Sequence, residues 1–236
     1  MTTTEQAAAK FDRSRAEEYE RQSRIALAGY EACHELAACL LAASLGSGTK
    51  ATILVAGAGG TANEILTAGA LEPAWRFVAV DPAPAMLELA MDRVGRAGFS
   101  ARTRAVSGTV ADLPGDAMFD AATLIGVLHH LPGDAAKRSI LADVAARLRP
   151  GAPFILACNH YPYASQKLLL AAWGERWRMQ GATAEEVQAK LGRILQGADP
   201  PESEQAVVDL LAGAGFAAPL RFFSSLFWGA WVTRKL

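Results

Sequence analysis

The sequence predicts an α/β fold built on a doubly wound, largely parallel sheet, and three observations carry that expectation. Between Ala51 and Cys158, short β-prone runs alternate with helical segments, the pattern of parallel strands joined by crossover helices. The first run ends in small residues, Ile53-Leu54-Val55-Ala56-Gly57-Ala58-Gly59-Gly60-Thr61, and the second ends in an acid, Phe77-Val78-Ala79-Val80-Asp81. Two aromatic, β-prone segments, 217–223 and 225–233, close the chain. So few residues separate them that only antiparallel pairing is possible.

The elements follow in order. Residues 5–45 are helical in pattern, with alternating charge over Arg13-Ser14-Arg15-Ala16-Glu17-Glu18, then alanine- and leucine-rich sequence closed by Gly46-Ser47-Gly48. We read 1–48 as a helical extension of the same domain that occupies 49–236. Strands are expected at 51–57, 75–81, 101–106, 119–126 and 152–158, with helices at 62–70, 83–97 and 133–148 between them. Asp81-Pro82 and Arg149-Pro150-Gly151 punctuate the pattern, since proline suits the first turn of a helix and cannot continue one. After Cys158 the alternation lapses. Residues 163–196 predict one or two helices, forming an insert over about 160–200 that is placed to roof a pocket, and a further helix is expected at 202–213.

Composition narrows the function classes. A chain of 236 residues buries a sizeable core and suits one large α/β domain. With 23 basic and 24 acidic side chains it has a formal charge of −1, so it carries no general field for nucleic acid. Cys33, Cys39 and Cys158 are odd in number and unpaired in spacing. They read as buried small apolar residues, with no disulfide framework and no metal site. No leader pattern and no membrane-length apolar segment are found, so a cytosolic protein without membrane partners is expected.

The glycine turn and Asp81 describe a nucleotide-type pocket. A side chain on Gly57 or Gly59 would occupy space that a ligand needs. Asp81, 24 positions after Gly57, stands where a carboxylate accepts from both ribose hydroxyls. It is also suited to cap a helix opening at Pro82. The run from Gly57 to Ala62 equally fits the dinucleotide pattern G-x-G-x-x-A, which leaves a nicotinamide enzyme as an alternative. His129-His130 follow a strand at the carboxyl edge and are candidates for a general base, against the alternative that one packs and the other is solvated. His160, within Asn159-His160-Tyr161-Pro162-Tyr163, is the second candidate, in a cluster placed to meet an acceptor. Trp173, Trp177 and Met179 have the spacing of one helical face and read as core, without a ligand role.

The order of elements, the glycine turn, Asp81, Asp112-Leu113-Pro114, Phe119-Asp120 and Leu148-Arg149-Pro150-Gly151 together resemble the class I S-adenosylmethionine-dependent methyltransferases over roughly 50–236. That resemblance implies a Rossmann-like, seven-stranded mixed sheet with the last strand inserted antiparallel. It also implies S-adenosylmethionine as cofactor and a small-molecule acceptor. A narrower resemblance, to the carboxy-S-adenosylmethionine synthase group and its methyltransferase relatives, rests on Phe11-Asp12, Ala28-Gly29-Tyr30, Asp81-Pro82-Ala83-Pro84-Ala85-Met86-Leu87 and Gly213-Ala214-Gly215-Phe216. It implies that Tyr30 lies against the ligand and that Gly57, Ala58 and Gly59 pass the methionyl part. By the same resemblance Asp81 and Pro82 hold the ribose, Thr109 and Val110 border the adenine, Ile125 stands where the synthases have an asparagine near the extra carboxylate, and a homodimer is expected.

The chain departs from those families at several places. Val55 stands where an acid is usual, Thr61 replaces a third glycine and Thr109 replaces an acid at the adenine. Leu191 stands where the synthases hold the extra carboxylate with an arginine, Arg193 is two residues on, and Ile125 replaces an asparagine. The departures at Leu191 and Ile125 favour ordinary S-adenosylmethionine over the carboxylated form, while those at Val55, Thr61 and Thr109 count against cofactor affinity and toward a catalytically silent scaffold. They leave the carboxylated cofactor, a nicotinamide oxidoreductase and a catalytically silent scaffold as alternatives.

Overall fold

A computed structural model describes residues 13–236, with side chains from Tyr19 onward. Phe11-Asp12 and the leader reading therefore lie outside the described residues, as do the charged side chains of 13–18. Eight α-helices run in chain order among the described residues: α1 (Arg13–Ala26), α2 (Tyr30–Leu45), α3 (Asn63–Leu71), α4 (Pro84–Arg96), α5 (Gly133–Ala146), α6 (Lys167–Met179), α7 (Ala184–Gly197) and α8 (Glu204–Gly213). The strands are β1 (Thr52–Ala56), β2 (Arg76–Asp81), β3 (Thr103–Ser107), β4 (Ala121–Ile125), β5 (Pro153–Asn159), β6 (Leu220–Ser225) and β7 (Trp228–Arg234).

All seven strands form one sheet in the order β3-β2-β1-β4-β5-β7-β6. β1 to β5 are mutually parallel, while β7 runs antiparallel between β5 and β6. The central strands are buried on both faces, which is why they read as unbroken apolar runs. Their side chains alternate between two cores. Ile53, Val55, Phe77 and Ala79 face the core made with α2, α3 and α4. Leu54, Ala56, Val78 and Val80 face the one made with α5 and α8. The helix α2 contributes Cys33, Ala37 and Leu41 to the first core, so this part of the N-terminal extension covers the sheet.

The strand order reverses between β1 and β4, where crossovers leave in opposite directions and open a crevice at the carboxyl ends. The glycine turn after β1 and the Gly126–His130 segment after β4 flank it. Two expectations are corrected here. Cys39 is exposed, whereas Cys33 and Cys158 are buried. Met179 is 78% exposed and does not share the buried face of Trp173 and Trp177. On a helix, residues four apart share a face and the sixth along does not. Among the described residues, no single helix is long and apolar enough to cross a membrane.

Candidate active site

The glycine turn is held by its own neighbours. Gly57 and Ala58 both donate their backbone N–H to the Val80 carbonyl, at 2.8 and 3.1 Å. Gly57 has φ +71°, and a Cβ there would lie 2.2 Å from Cγ2 of Val127, so the turn and the β4 loop meet backbone to side chain. Gly59 donates its N–H to Oδ2 of Asp81 at 2.9 Å, while Oδ1 of Asp81 accepts from Ala83 N at 2.8 Å. Asp81 thus ties two loops together. It does not cap a helix at Pro82: α4 opens at Pro84 with Ala83 as its N-cap and no side-chain cap. Burial raises the Asp81 carboxyl above its usual range, against the two N–H donors that lower it.

Behind the turn lies a buried polar group in which Tyr30 is expected from the sequence and Glu64 and His34 are missed. Tyr30 donates its hydroxyl to Oγ1 of Thr61 at 2.8 Å, locking α2 to the turn and giving the residue in place of a third glycine a structural task. Glu64, in the first turn of α3, is buried, and desolvation pushes its carboxyl up to about 7, with the Asp81 charge adding to the shift. His34 Nδ1 lies 2.8 Å from the Tyr30 carbonyl, which can only accept, so Nδ1 carries the proton. Its Nε2 is 3.9 Å from Oε2 of Glu64. Burial pushes the His34 imidazole down to about 4, which keeps it neutral.

A cavity of about 520 Å³ opens from this turn. It brings together Tyr30, Gly57, Gly59, Ile125 and His129 from the expected site, along with Glu64 and His34. Tyr163, Trp173, Trp177 and Trp228 also line it, together with Lys190 and Arg193 of α7. The insert does roof it. Trp173 Nε1 donates to Ala26 O at 2.8 Å, and Arg176 donates to the Ile25 and Arg24 carbonyls, clamping α6 onto the end of α1. Trp173 and Trp177 are therefore both packed and wall-forming, and the core-only reading of them is incomplete.

The two candidate bases separate. His129 is buried in the cavity wall, edge-on to Trp228. Its Nδ1 accepts from Asn159 N at 3.3 Å, an arrangement that assigns the ring proton to Nε2. His160 is 1% exposed, packs on Tyr161 and the edge of Trp231, and does not line the cavity. Asn159 and His160 are adjacent at the end of β5, so their side chains take opposite faces. Asn159 keeps the cavity side and donates to Tyr163 Oη at 2.7 Å.

Thr109 and Val110 also lie off the cavity. The N–H and hydroxyl of Thr109 both bond Oδ2 of Asp112, at 2.7 and 2.8 Å, and Val110 is buried in the second core. Ala58, Asp81 and Pro82 do not line the cavity; Ala58 lies in the chain between the lining residues Gly57 and Gly59, and Asp81 is tied to the turn by the bond from Gly59 N.

Residues 54–154 match the family model described as a methyltransferase domain. No curated relative matches the chain. Among solved structures, a 1,6-didemethyltoxoflavin-N1-methyltransferase from Burkholderia thailandensis, with bound 1,6-didemethyltoxoflavin and S-adenosylhomocysteine, is 25% identical. It covers 100% of this chain and 91% of its own, with a TM-score of 0.62. A mitomycin 7-O-methyltransferase is 18% identical over 100% of this chain, with a TM-score of 0.65, and this chain spans 61% of its length. A protein described as a putative O-methyltransferase from Nostoc punctiforme is 15% identical over 86% of this chain, with a TM-score of 0.62, and 55% of its own length is spanned. The chain thus carries a methyltransferase domain at residues 54–154, set in the fold of the S-adenosylmethionine-dependent methyltransferases.

Proposed function

We propose that this protein binds S-adenosylmethionine across the β1/β4 crevice and transfers its methyl group to a small, flat acceptor in the aromatic cavity. The observation that carries the reading is the continuity of one cavity from Gly57 and Gly59 to the wall of Trp173, Trp177 and Trp228. The residues fit the cofactor. Gly57 and Gly59 present bare backbone to the cavity, although the space a Cβ would take there is filled by Val127 at Gly57 and by Asp81 and Met86 at Gly59 rather than left for a ligand, and Asp81 keeps acceptor capacity for ribose hydroxyls beyond its two backbone bonds. When bound, the cofactor supplies an electrophilic methyl on a sulfonium with a good leaving group. The chain's own task is then to align the acceptor atom and exclude water.

Trp228 and Trp177 give the cavity an apolar, aromatic lining suited to a flat ring, with Lys190 Nζ 3.6 Å from the centroid of the Trp177 ring, and the Nε2–H of His129 orients an acceptor oxygen or nitrogen by donation. Because Nδ1 of His129 is engaged as an acceptor, the ring does not remove a proton from the substrate. Burial also raises the phenol of Tyr163 above its ordinary value, which keeps it a donor. These groups suit an acceptor that is already nucleophilic near neutral pH, such as a heteroaromatic nitrogen or an acidic enol or phenol. The Burkholderia and mitomycin enzymes, named for N1 and 7-O transfer, accord with that range. Saturable binding of S-adenosylmethionine, followed by methyl transfer from radiolabelled cofactor to a panel of such acceptors, tests the reading. No transfer across the panel by a protein that binds the cofactor would favour the silent scaffold.

One observation favours a second reading, a carboxylated cofactor. Arg193 lines the cavity, while Leu191 packs against the cluster of Ile25, Trp177 and Val187. Weaker binding of carboxy-S-adenosylmethionine by Arg193→Leu, with ordinary S-adenosylmethionine unaffected, would support it. A cytosolic homodimer completes the proposal, to be tested by fractionation and light scattering.

A further inference from the structure

We propose that Glu64 is the counter-ion for the α-ammonium group on the methionyl arm of the cofactor. The inference rests on the reading that S-adenosylmethionine is the ligand, and it assigns a residue to the end of the site where Val55 offers no charge.

Three observations support it. Glu64 is buried and lines the same cavity as Gly57 and Gly59. Among the described residues, no lysine or arginine forms an ion pair with it. Its nearest nitrogen base, His34 Nε2 at 3.9 Å, carries no proton in the tautomer fixed by the Tyr30 carbonyl. The other titratable groups acting on it or packed beside it are Tyr30 and Cys33 on α2, Asp81 at the end of β2 and Tyr19 on α1. None of them supplies a positive charge. A carboxylate buried without a cation is strongly disfavoured, and such groups take up a proton until a cation arrives. A ligand that carries an ammonium into the cavity supplies it, and the carboxyl then ionises as the pair forms.

The binding event therefore releases a proton whenever Glu64 begins protonated. Tyr30 and Cys33 do not contribute near neutral pH, since burial raises the phenol and pushes the thiol up to about 12. His34 is pushed down to about 4 and is already neutral. Asp81 meets the ribose in this reading, so a ligand with the ribose but no amino acid isolates its contribution.

The test is isothermal titration of wild type and Glu64→Gln with three probes: S-adenosylmethionine, S-adenosylhomocysteine, and 5′-methylthioadenosine, which lacks the amino acid. The exchange weakens S-adenosylmethionine and S-adenosylhomocysteine by about ten- to a hundredfold, the range of a charge-assisted contact, and leaves 5′-methylthioadenosine within about twofold. Equal weakening of all three, or of none, overturns the assignment, as does loss confined to S-adenosylmethionine, which would place the carboxylate at the sulfonium. Should the variant fail to fold, the wild type decides alone. At pH 6, in buffers of different ionisation enthalpy, S-adenosylhomocysteine releases more protons than 5′-methylthioadenosine, and equal release refutes the pairing. Failure of wild type to bind any of the probes would instead refute the cofactor reading.

Discussion

Replacing Gly57 by alanine is expected to destabilise the fold through two separable effects. The backbone at Gly57 has φ +71°, a left-handed conformation that costs an L-residue roughly 1–2 kcal/mol. The added Cβ would also sit 2.2 Å from Cγ2 of Val127, well inside van der Waals contact. Overpacking of this kind costs about 1–3 kcal/mol as the loop moves away. The sum is a loss of about 2–5 kcal/mol, measured as the change in urea midpoint at constant slope. Val127→Ala in the same chain removes the colliding methyl and should return the steric part, leaving the backbone part. A double-mutant cycle reads the difference as a coupling of about 1–3 kcal/mol between positions 57 and 127. If Gly57→Ala unfolds at the wild-type midpoint, or if the two substitutions add without coupling, the account of the turn fails.

Other substitutions probe the supports of the site. Asp199→Ala should cost about 3 kcal/mol in chemical unfolding, because it leaves Lys137 buried without the 2.8 Å partner on Oδ2; Lys137→Met in the same chain should recover most of the loss. Tyr30→Phe removes the buried bond to Thr61 and should lower stability by about 1 kcal/mol, a change readable in the same unfolding experiment. Without ligand, Glu64→Gln should unfold at a higher temperature than wild type at pH 8 and at a similar one at pH 5. The carboxyl rises from its reference value of 4.5 to about 7 on folding. The native state therefore holds a proton that the unfolded chain has lost between those values, and wild-type stability falls as pH rises through that window. The fall is up to about 3 kcal/mol at 1.36 kcal/mol per unit, and His34 is common to both proteins and cancels.

The sheet was legible because its central strands are buried on both faces and so form apolar runs ended by Gly57, Asp81 and Gly126. The antiparallel end was legible too, from the short gap between two aromatic segments. What could not be read was direction. His160 looked equivalent to its neighbours in the Asn159–Tyr163 cluster, yet at a strand end each successive residue changes face, and the chain gives no local sign of which face holds a ligand. Glu64 was invisible for another reason. An acid in the first turn of a helix is ordinary, and only the packing of α2 over α3 buries it. Trp173 and Trp177 had the periodicity of core, which they satisfy, and a cavity wall leaves no mark on periodicity. Thr109 matched the family by position, but the bond it makes with Asp112 depends on a short turn that its side chain itself closes.

The most direct test of the central claim is calorimetric titration of the purified protein with S-adenosylhomocysteine, alongside Asp81→Ala checked for native circular dichroism. The account predicts one saturable site per chain, with affinity lost in the variant. Absence of saturable binding up to about 1 mM, or unchanged affinity in Asp81→Ala, would contradict it.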